Sequence, residues 1–113
     1  MSSATESVGA VLVICNGQFE GTRHPVQRDE TLIGRNPKTD ITLLDESISR
    51  EHAIVAWDET RRLYTLEDLQ STNGSKVNGK RIRASDLTHG DVLEIGHTKF
   101  KFLLRESSAP ADE

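Results

Sequence analysis

Three short polar clusters hold the side chains of this chain that could do chemistry: Gly34-Arg35, Ser49-Arg50-Glu51-His52 and Ser71-Thr72-Asn73-Gly74. They supply guanidinium groups, hydroxyls and a side-chain amide. Arginine presents a planar fork of N–H donors that matches the oxygens of a phosphate, and hydroxyls with an amide can complete such a site. Holding an oxyanion in this way needs no acid or base. The clusters therefore favour a binding site for a phosphorylated partner over a catalytic centre.

The segments between the clusters predict the β-strands that must position them. Runs of apolar or alternating residues lie at 11–14, 31–33, 41–44, 52–57, 62–66, 92–95 and 98–104. Pairs that tolerate positive φ separate several of these runs and predict tight turns, at Asn16-Gly17, Asn73-Gly74 and Asn78-Gly79. No segment of ten or more residues has a helical period, and only residues 45–52 could form one helical turn. We expect an all-β sandwich with loops gathered at the strand ends.

The chain is long enough, at 113 residues, to close one hydrophobic core without disulfides or metal. We expect one domain over residues 9–105, between flexible tails at 1–8 and 106–113 that are rich in Ser, Ala and acidic residues. The single Cys15 lies in an apolar run, so we expect it to pack as a small hydrophobe. A chain with one cysteine forms no intrachain disulfide, which fits a cytoplasmic location.

Charge and hydropathy exclude several classes of function. The net charge of −4 argues against a general nucleic-acid binder. Basic residues nevertheless cluster, at Arg61-Arg62 and at Lys76, Lys80, Arg81 and Arg83. This local patch could attract one phosphorylated segment or could be a solvated rim. The apolar runs are far shorter than the roughly twenty residues that span a bilayer, so we expect no membrane insertion.

A catalytic interpretation starts from Ser49, His52 and Asp45, which superficially offer a nucleophile, a base and an orienting carboxylate. A separation of three residues at the start of a strand places Ser49 and His52 badly for proton transfer, and no Gly-rich nucleophile elbow is present. The remaining histidines have no metal-ligand spacing. We therefore expect no enzymatic activity, no metal and no cofactor.

The full set of motifs, in this order, closely resembles a forkhead-associated (FHA) domain over about residues 10–104. The segments that carry the resemblance are Ile33-Gly34-Arg35-Asn36-Pro37, Ile48-Ser49-Arg50-Glu51-His52-Ala53, Asp68 with Ser71-Thr72-Asn73-Gly74, Val77-Asn78-Gly79, Gly90-Asp91 and Ile95-Gly96. The resemblance implies an eleven-stranded, antiparallel-type β-sandwich that binds phosphothreonine peptides through loops at one end.

The same resemblance implies a role for each residue of the clusters. Arg35 resembles the phosphate-binding arginine of the family, and Ser49 and Thr72 resemble its two hydroxyl contacts. Arg50 stands where a further phosphate donor is usual.

Other positions match residues that bind the peptide or shape the site. Asn73 resembles the asparagine that hydrogen-bonds the peptide backbone beside the phosphoresidue. Gly34, His52 and Gly74 resemble structural positions. Asn78, next to the site in sequence, either touches the peptide or only shapes its turn.

The function that the resemblance implies is a non-catalytic, phosphothreonine-dependent binding module in Ser/Thr-kinase signalling. Its partner would be a phosphothreonine-containing protein or peptide, such as a kinase or a kinase substrate. Thr5, in the N-terminal tail, is a further candidate, because a phosphorylated tail could fold back into its own site. A phosphate-independent interaction module of the same fold is the alternative.

Overall fold

A computed structural model describes residues 8–105, which form eleven strands and no helix. The strands are β1 (Val8–Ile14), β2 (Arg23–Gln27), β3 (Glu30–Gly34), β4 (Ile41–Thr42), β5 (Ala53–Asp58), β6 (Leu63–Asp68), β7 (Ser75–Val77), β8 (Lys80–Ile82), β9 (Ala84–Leu87), β10 (Val92–Ile95) and β11 (Thr98–Leu104).

The strands form two sheets that pack as a sandwich. One sheet has six strands in the order β2-β1-β11-β10-β7-β8, and the other has five in the order β4-β3-β5-β6-β9. Pairing is antiparallel throughout, except between β3 and β4, which are parallel. Both strand number and architecture confirm the fold expected from the sequence.

Period-two alternation places one row of apolar side chains from each strand in the core. Leu12, Phe100 and Phe102 from the six-stranded sheet are fully buried, as is Leu66 from the opposite sheet. Tyr64 packs edge-on against Phe102, with ring centroids 5.7 Å apart, and its hydroxyl donates to the Gln27 carbonyl at 3.1 Å. Burial raises the pKa of Tyr64 to about 12.

Several details differ from the sequence expectations. Cys15 is exposed, so its predicted packing in the core is wrong. Because β1 ends at Ile14, whose side chain points inward, the residue that follows belongs to the loop. β1 also begins at Val8, one residue inside the predicted tail. The rest of both predicted tails lies outside the described residues.

The described part of the chain contains no helix that could cross a membrane. Within residues 8–105, no three His, Cys, Asp or Glu side chains are grouped so that they could hold a metal ion.

Candidate functional site

The three polar clusters meet at one end of the sandwich, where the loops after β3, before β5 and between β6 and β7 lie side by side. The Arg35 amide donates to the Ser49 carbonyl at 3.0 Å, and the Asn36 amide donates to the Arg50 carbonyl at 3.1 Å. Gly34 permits this close approach, because a Cβ at this position would overlap the Arg50 carbonyl oxygen. The first cluster is thereby joined to the second through the backbone.

The Arg35 side chain is exposed, and one of its nitrogens is fixed. Nε donates to the Ile48 carbonyl at 3.0 Å. This bond orients the guanidinium and leaves the fork of its two terminal nitrogens for a ligand. Arg50, on the adjacent loop, is also exposed. In the part of the chain that the structure describes, neither arginine forms an ion pair.

Ser49 and Thr72, the two predicted hydroxyl contacts, are joined by a hydrogen bond between their loops. The Thr72 amide donates to Ser49 Oγ at 3.0 Å. Since Ser49 Oγ accepts this bond, its own O–H remains available as a donor. The Thr72 side chain is exposed.

His52 is completely buried behind these loops and bonded at both ring nitrogens. The Ser49 amide donates to Nδ1 at 3.0 Å, and Nε2 lies 2.8 Å from the Gly74 carbonyl. An amide can only donate and a carbonyl can only accept, so the ring is in the neutral form with its proton on Nε2. A buried ring with a hydrogen bond at each nitrogen braces the two loops, and the structural role of His52 stays a prediction.

Asp68 supports the β6–β7 loop from below. Ser71 Oγ and Ser75 Oγ donate to its Oδ1 at 2.6 and 2.7 Å, and the Ser71 amide donates to Oδ2 at 3.0 Å. Burial alone would raise the pKa of Asp68, but these hydrogen bonds outweigh it and hold the pKa below its usual range. The Gly74 amide then donates to Ser71 Oγ at 2.9 Å, which closes the turn.

Asn73 links this loop to the segment that precedes β5. Its Nδ2 donates to the Ser47 carbonyl at 2.8 Å. Ser47 is itself fixed, because its Oγ donates to Asp45 Oδ1 at 2.7 Å, and Asp45 Oδ2 lies 3.4 Å from Nδ1 of His97. The hydrogen bonds from Ser47 lower the pKa of Asp45. The Asn73 amide is therefore positioned at the edge of the site.

Asn78 lies at the far end of β7 from Gly74, roughly 13 Å along an extended strand. Its Nδ2 donates to Asp91 Oδ1 at 3.0 Å, and its Oδ1 accepts from the Val92 amide at 2.9 Å. Of the two roles that the sequence left open, these bonds favour shaping the turn over contact with a peptide.

The supporting roles of Ser71, Ser75 and Ser47 were not predicted from the sequence, although Ser71 stands in the third polar cluster. A partial signal was present, since an aspartate with serine three residues later is typical of a side-chain-capped turn. The bonds from Ser47 to Asp45, two residues away, are a local turn of a similar kind. The bond from Ser75 to Asp68 and the bond from Asn73 to the Ser47 carbonyl join residues further apart in sequence and have no local signal.

Comparison with known proteins identifies the family. The sequence profile described as "FHA domain" matches residues 31–96. The chain is 37% identical to an oxoglutarate dehydrogenase inhibitor of Corynebacterium jeikeium, over 83% of this chain and 64% of that protein. It is 31% identical to the FHA domain-containing protein FhaA of Mycobacterium tuberculosis, over 82% of this chain and 17% of that protein. The chain therefore spans less than two thirds of the length of either relative.

A solved structure described as part of an analysis of phosphothreonine-dependent FHA domain interactions superposes with a TM-score of 0.77, at 29% identity, over 86% of this chain and 97% of that one. The chain belongs to the forkhead-associated family, whose domains bind phosphothreonine peptides.

Proposed function

We propose that the loops at this end of the sandwich bind phosphothreonine in a protein partner, with Arg35, Ser49, Arg50 and Thr72 on the phosphate. The observation that carries the proposal is the 3.0 Å bond from the Thr72 amide to Ser49 Oγ, which brings both hydroxyl-bearing loops together beside the oriented Arg35 guanidinium. Asn73 would bind the peptide backbone beside the phosphoresidue.

The positive charges at the candidate site match the negative charge of a phosphothreonine. A phosphothreonine carries roughly −1.5 to −2 charges and three acceptor oxygens. The guanidinium groups of Arg35 and Arg50 offset that charge, and each charge-assisted hydrogen bond contributes about 1.5–3 kcal/mol. After ordering costs, three or four such contacts correspond to a dissociation constant on the order of micromolar. We expect modest, reversible binding.

The same proposal has no catalytic step. His52 is buried with both nitrogens engaged, so it has no proton to exchange with a ligand on the surface. We infer a non-catalytic module that acts inside the cell, where Ser/Thr kinases phosphorylate its partners. The partner would be a kinase or a kinase substrate.

The decisive experiment measures binding of matched peptides that carry threonine, phosphoserine or phosphothreonine. The peptide is chosen by screening a phosphothreonine library with randomised flanking residues. We expect the phosphothreonine form to bind and the threonine form not to bind. Equal affinity for both forms would favour the phosphate-independent alternative instead.

Arg35→Ala tests the phosphate contact directly. Loss of a charge-assisted contact of about 1.5–3 kcal/mol should weaken phosphopeptide binding by at least tenfold. Lys38→Ala is the matched control, because it removes an exposed positive charge from the same loop. Titration calorimetry should find little change for that control. Unaltered affinity in a folded Arg35→Ala protein would contradict the proposal.

A further inference from the structure

The outer face of the six-stranded sheet carries five exposed cations, which we call the basic face: Arg23, Lys76, Arg81, Lys99 and Lys101. Strand register places them on one surface. Lys76 is opposite Arg81, and Glu94 lies between Lys76 and Lys99.

A second row of the same face places Lys101 and Arg23 on either side of Val13. Lys101 points outward because it lies between Phe100 and Phe102, which are buried in the core.

Strand pairing accounts for only part of these charges. Glu94 lies opposite both Lys76 and Lys99, and opposite charges support pairing, but one carboxylate cannot balance five cations. Lys76 and Arg81 are directly opposite each other, an arrangement that disfavours strand pairing. Charges on the edge strands β2 and β8 can protect a sheet against edge-to-edge pairing. That argument does not cover Lys76, on β7, or Lys99 and Lys101, on β11, because both strands lie inside the sheet. Within residues 8–105, no member of the basic face forms an ion pair.

The basic face begins at the candidate phosphate site. The Arg81 guanidinium lies against Gly74, so closely that a Cβ on Gly74 would collide with it. Gly74 directly follows Thr72-Asn73 in the loop that borders the site. From Arg81 the row of charges crosses β7 and β10 to Lys99 on β11, three strand spacings or roughly 15 Å away.

The opposite sheet has the reverse charge on its outer face, where Glu30, Asp58, Glu67 and Asp86 point outward. Arg61 pairs with two of them, at 2.9 Å to Asp58 and 3.0 Å to Asp86. In a chain of net charge −4, unpaired positive charge is thus concentrated on the face that adjoins the site. An acidic segment is attracted to this face and repelled by the other.

We propose that the basic face binds an acidic stretch of the same phosphorylated partner, next to its phosphothreonine. The inference rests on the proposed function, since the phosphothreonine anchors the segment at the loops. The acidic stretch then runs from Gly74 over Arg81 and Lys76 towards Lys99. This contact gives the domain a preference for phosphothreonine in acidic sequence, without a change in the phosphate site itself.

The test uses the library-selected phosphothreonine peptide in four forms: unextended, with four glutamates before it, with four glutamates after it, and with a neutral Gly/Ser extension. Fluorescence anisotropy measures each affinity at low and high salt. One acidic extension should tighten binding about fivefold at low salt, because a few exposed ion pairs contribute modestly. The gain should fade at high salt, whereas the neutral extension should have no effect.

The double variant Lys76→Gln/Lys99→Gln removes two charges without placing glutamates opposite Glu94. It should lose most of the gain and bind the unextended peptide as the wild type does. Arg28→Gln/Arg62→Gln is the matched control, because it changes the net charge equally at Trp57, where the two guanidiniums lie 5.4 and 5.7 Å from the ring centroid. The exposed ion pair between Arg62 and Glu59, which it also removes, contributes little to stability. This control variant should still bind the acidic peptide about fivefold more tightly than the unextended peptide at low salt. Thermal unfolding followed by circular dichroism checks that both variants fold.

If neither acidic extension tightens binding, the inference is overturned. The proposed function then stays intact, provided that the unextended peptide binds. A gain that persists in full in Lys76→Gln/Lys99→Gln also overturns the inference. Single-stranded RNA that binds as tightly as the acidic phosphopeptide would assign the basic face to nucleic acid instead. If no phosphothreonine peptide binds the wild type, the proposed function and the inference both fail.

Discussion

At the scale of single residues, His52 is the side chain on which the geometry of the site depends most. Its ring connects the Ser49 amide on one loop with the Gly74 carbonyl on another, and it is fully buried. The buried Gly74 carbonyl and the partly buried Ser49 amide would each lose a hydrogen bond if the ring were removed. An unsatisfied buried polar group costs about 1–3 kcal/mol.

His52→Ala should therefore lower the free energy of unfolding by about 2–4 kcal/mol, from two lost bonds and a cavity. Urea denaturation measures the change. His97→Ala is the control, since that ring is 84% exposed, and it should alter stability little. A His52→Ala protein as stable as the wild type would show that the loops hold together without the ring.

Asn78 permits a test of its two possible roles. Its side chain bonds Asp91 and Val92, so Asn78→Ala should lower the free energy of unfolding by about 1–2 kcal/mol. Phosphopeptide affinity should not change, because the residue lies at the other end of β7 from the site. If the variant lost phosphopeptide binding while its stability was unchanged, Asn78 would instead be assigned to contact with the peptide.

At the scale of elements, most strands that sequence periodicity predicts are those that cross the core; the run at residues 41–44 forms only the two-residue edge strand β4. Segments such as residues 92–95 and 98–104 have the bounds of β10 and β11, because alternation reflects burial of one face. Strands β2, β7, β8 and β9 were not predicted from periodicity. Strands β7, β8 and β9 have only three or four residues, charged residues interrupt β8 at Lys80 and Arg81, and β2 contains Pro25, so tertiary pairing defines these four strands. The resemblance to the family supplied their number.

For the candidate site as well, the sequence predicts some features and tertiary contacts determine the others. The residues with recognisable chemistry, such as Arg35 and Ser49, were found from type and spacing. Their convergence depends on long-range bonds such as that from Thr72 to Ser49, which no local pattern encodes. The exposure of Cys15 was missed for a related reason, since an apolar run does not reveal where its strand ends.

The β7–β8 hairpin is an element whose turn the sequence did predict. Asn78 and Gly79 both have positive φ, 52° and 86°, as the two-residue hairpin turn that follows the twist of the strands requires. Gly79→Val should destabilise the protein by about 1–3 kcal/mol, because a β-branched residue is strained there. Thermal unfolding measures this effect. Lys80→Val, one residue later in β8, is the control and should be tolerated.

At the scale of the whole molecule, several carboxylates make stability depend on pH. Hydrogen bonds lower the pKa of Asp45, Asp68 and Asp91 in the folded state. The unfolded chain therefore binds more protons in acid, and the free energy of unfolding falls as pH drops below about 4 through the folded pKa values. Above that range the stabilisation is fully present.

Asp68→Asn should flatten this acid dependence and reduce stability at neutral pH, since the amide cannot accept all the bonds from Ser71 and Ser75. Urea titrations at pH 7 and in acid compare the variant with the exposed control Glu20→Gln. If the variant lost stability in acid to the same extent as the wild type, Asp68 would not contribute to the acid dependence of stability.

The pairing of β1 with β11 also determines how the domain would respond to mechanical load. Ala10 lies opposite Leu104, and the Arg105 amide donates to the Gly9 carbonyl at 2.9 Å, so the two strands leave the sheet side by side at the end away from the candidate phosphate site. Tension applied to the two ends of the described chain would pull β1 and β11 apart at one end of their ladder. The hydrogen bonds would then break one after another instead of being loaded all at once. The sandwich should thus yield to small pulling forces, although the candidate site at its opposite end would lose its geometry only after the strands had separated.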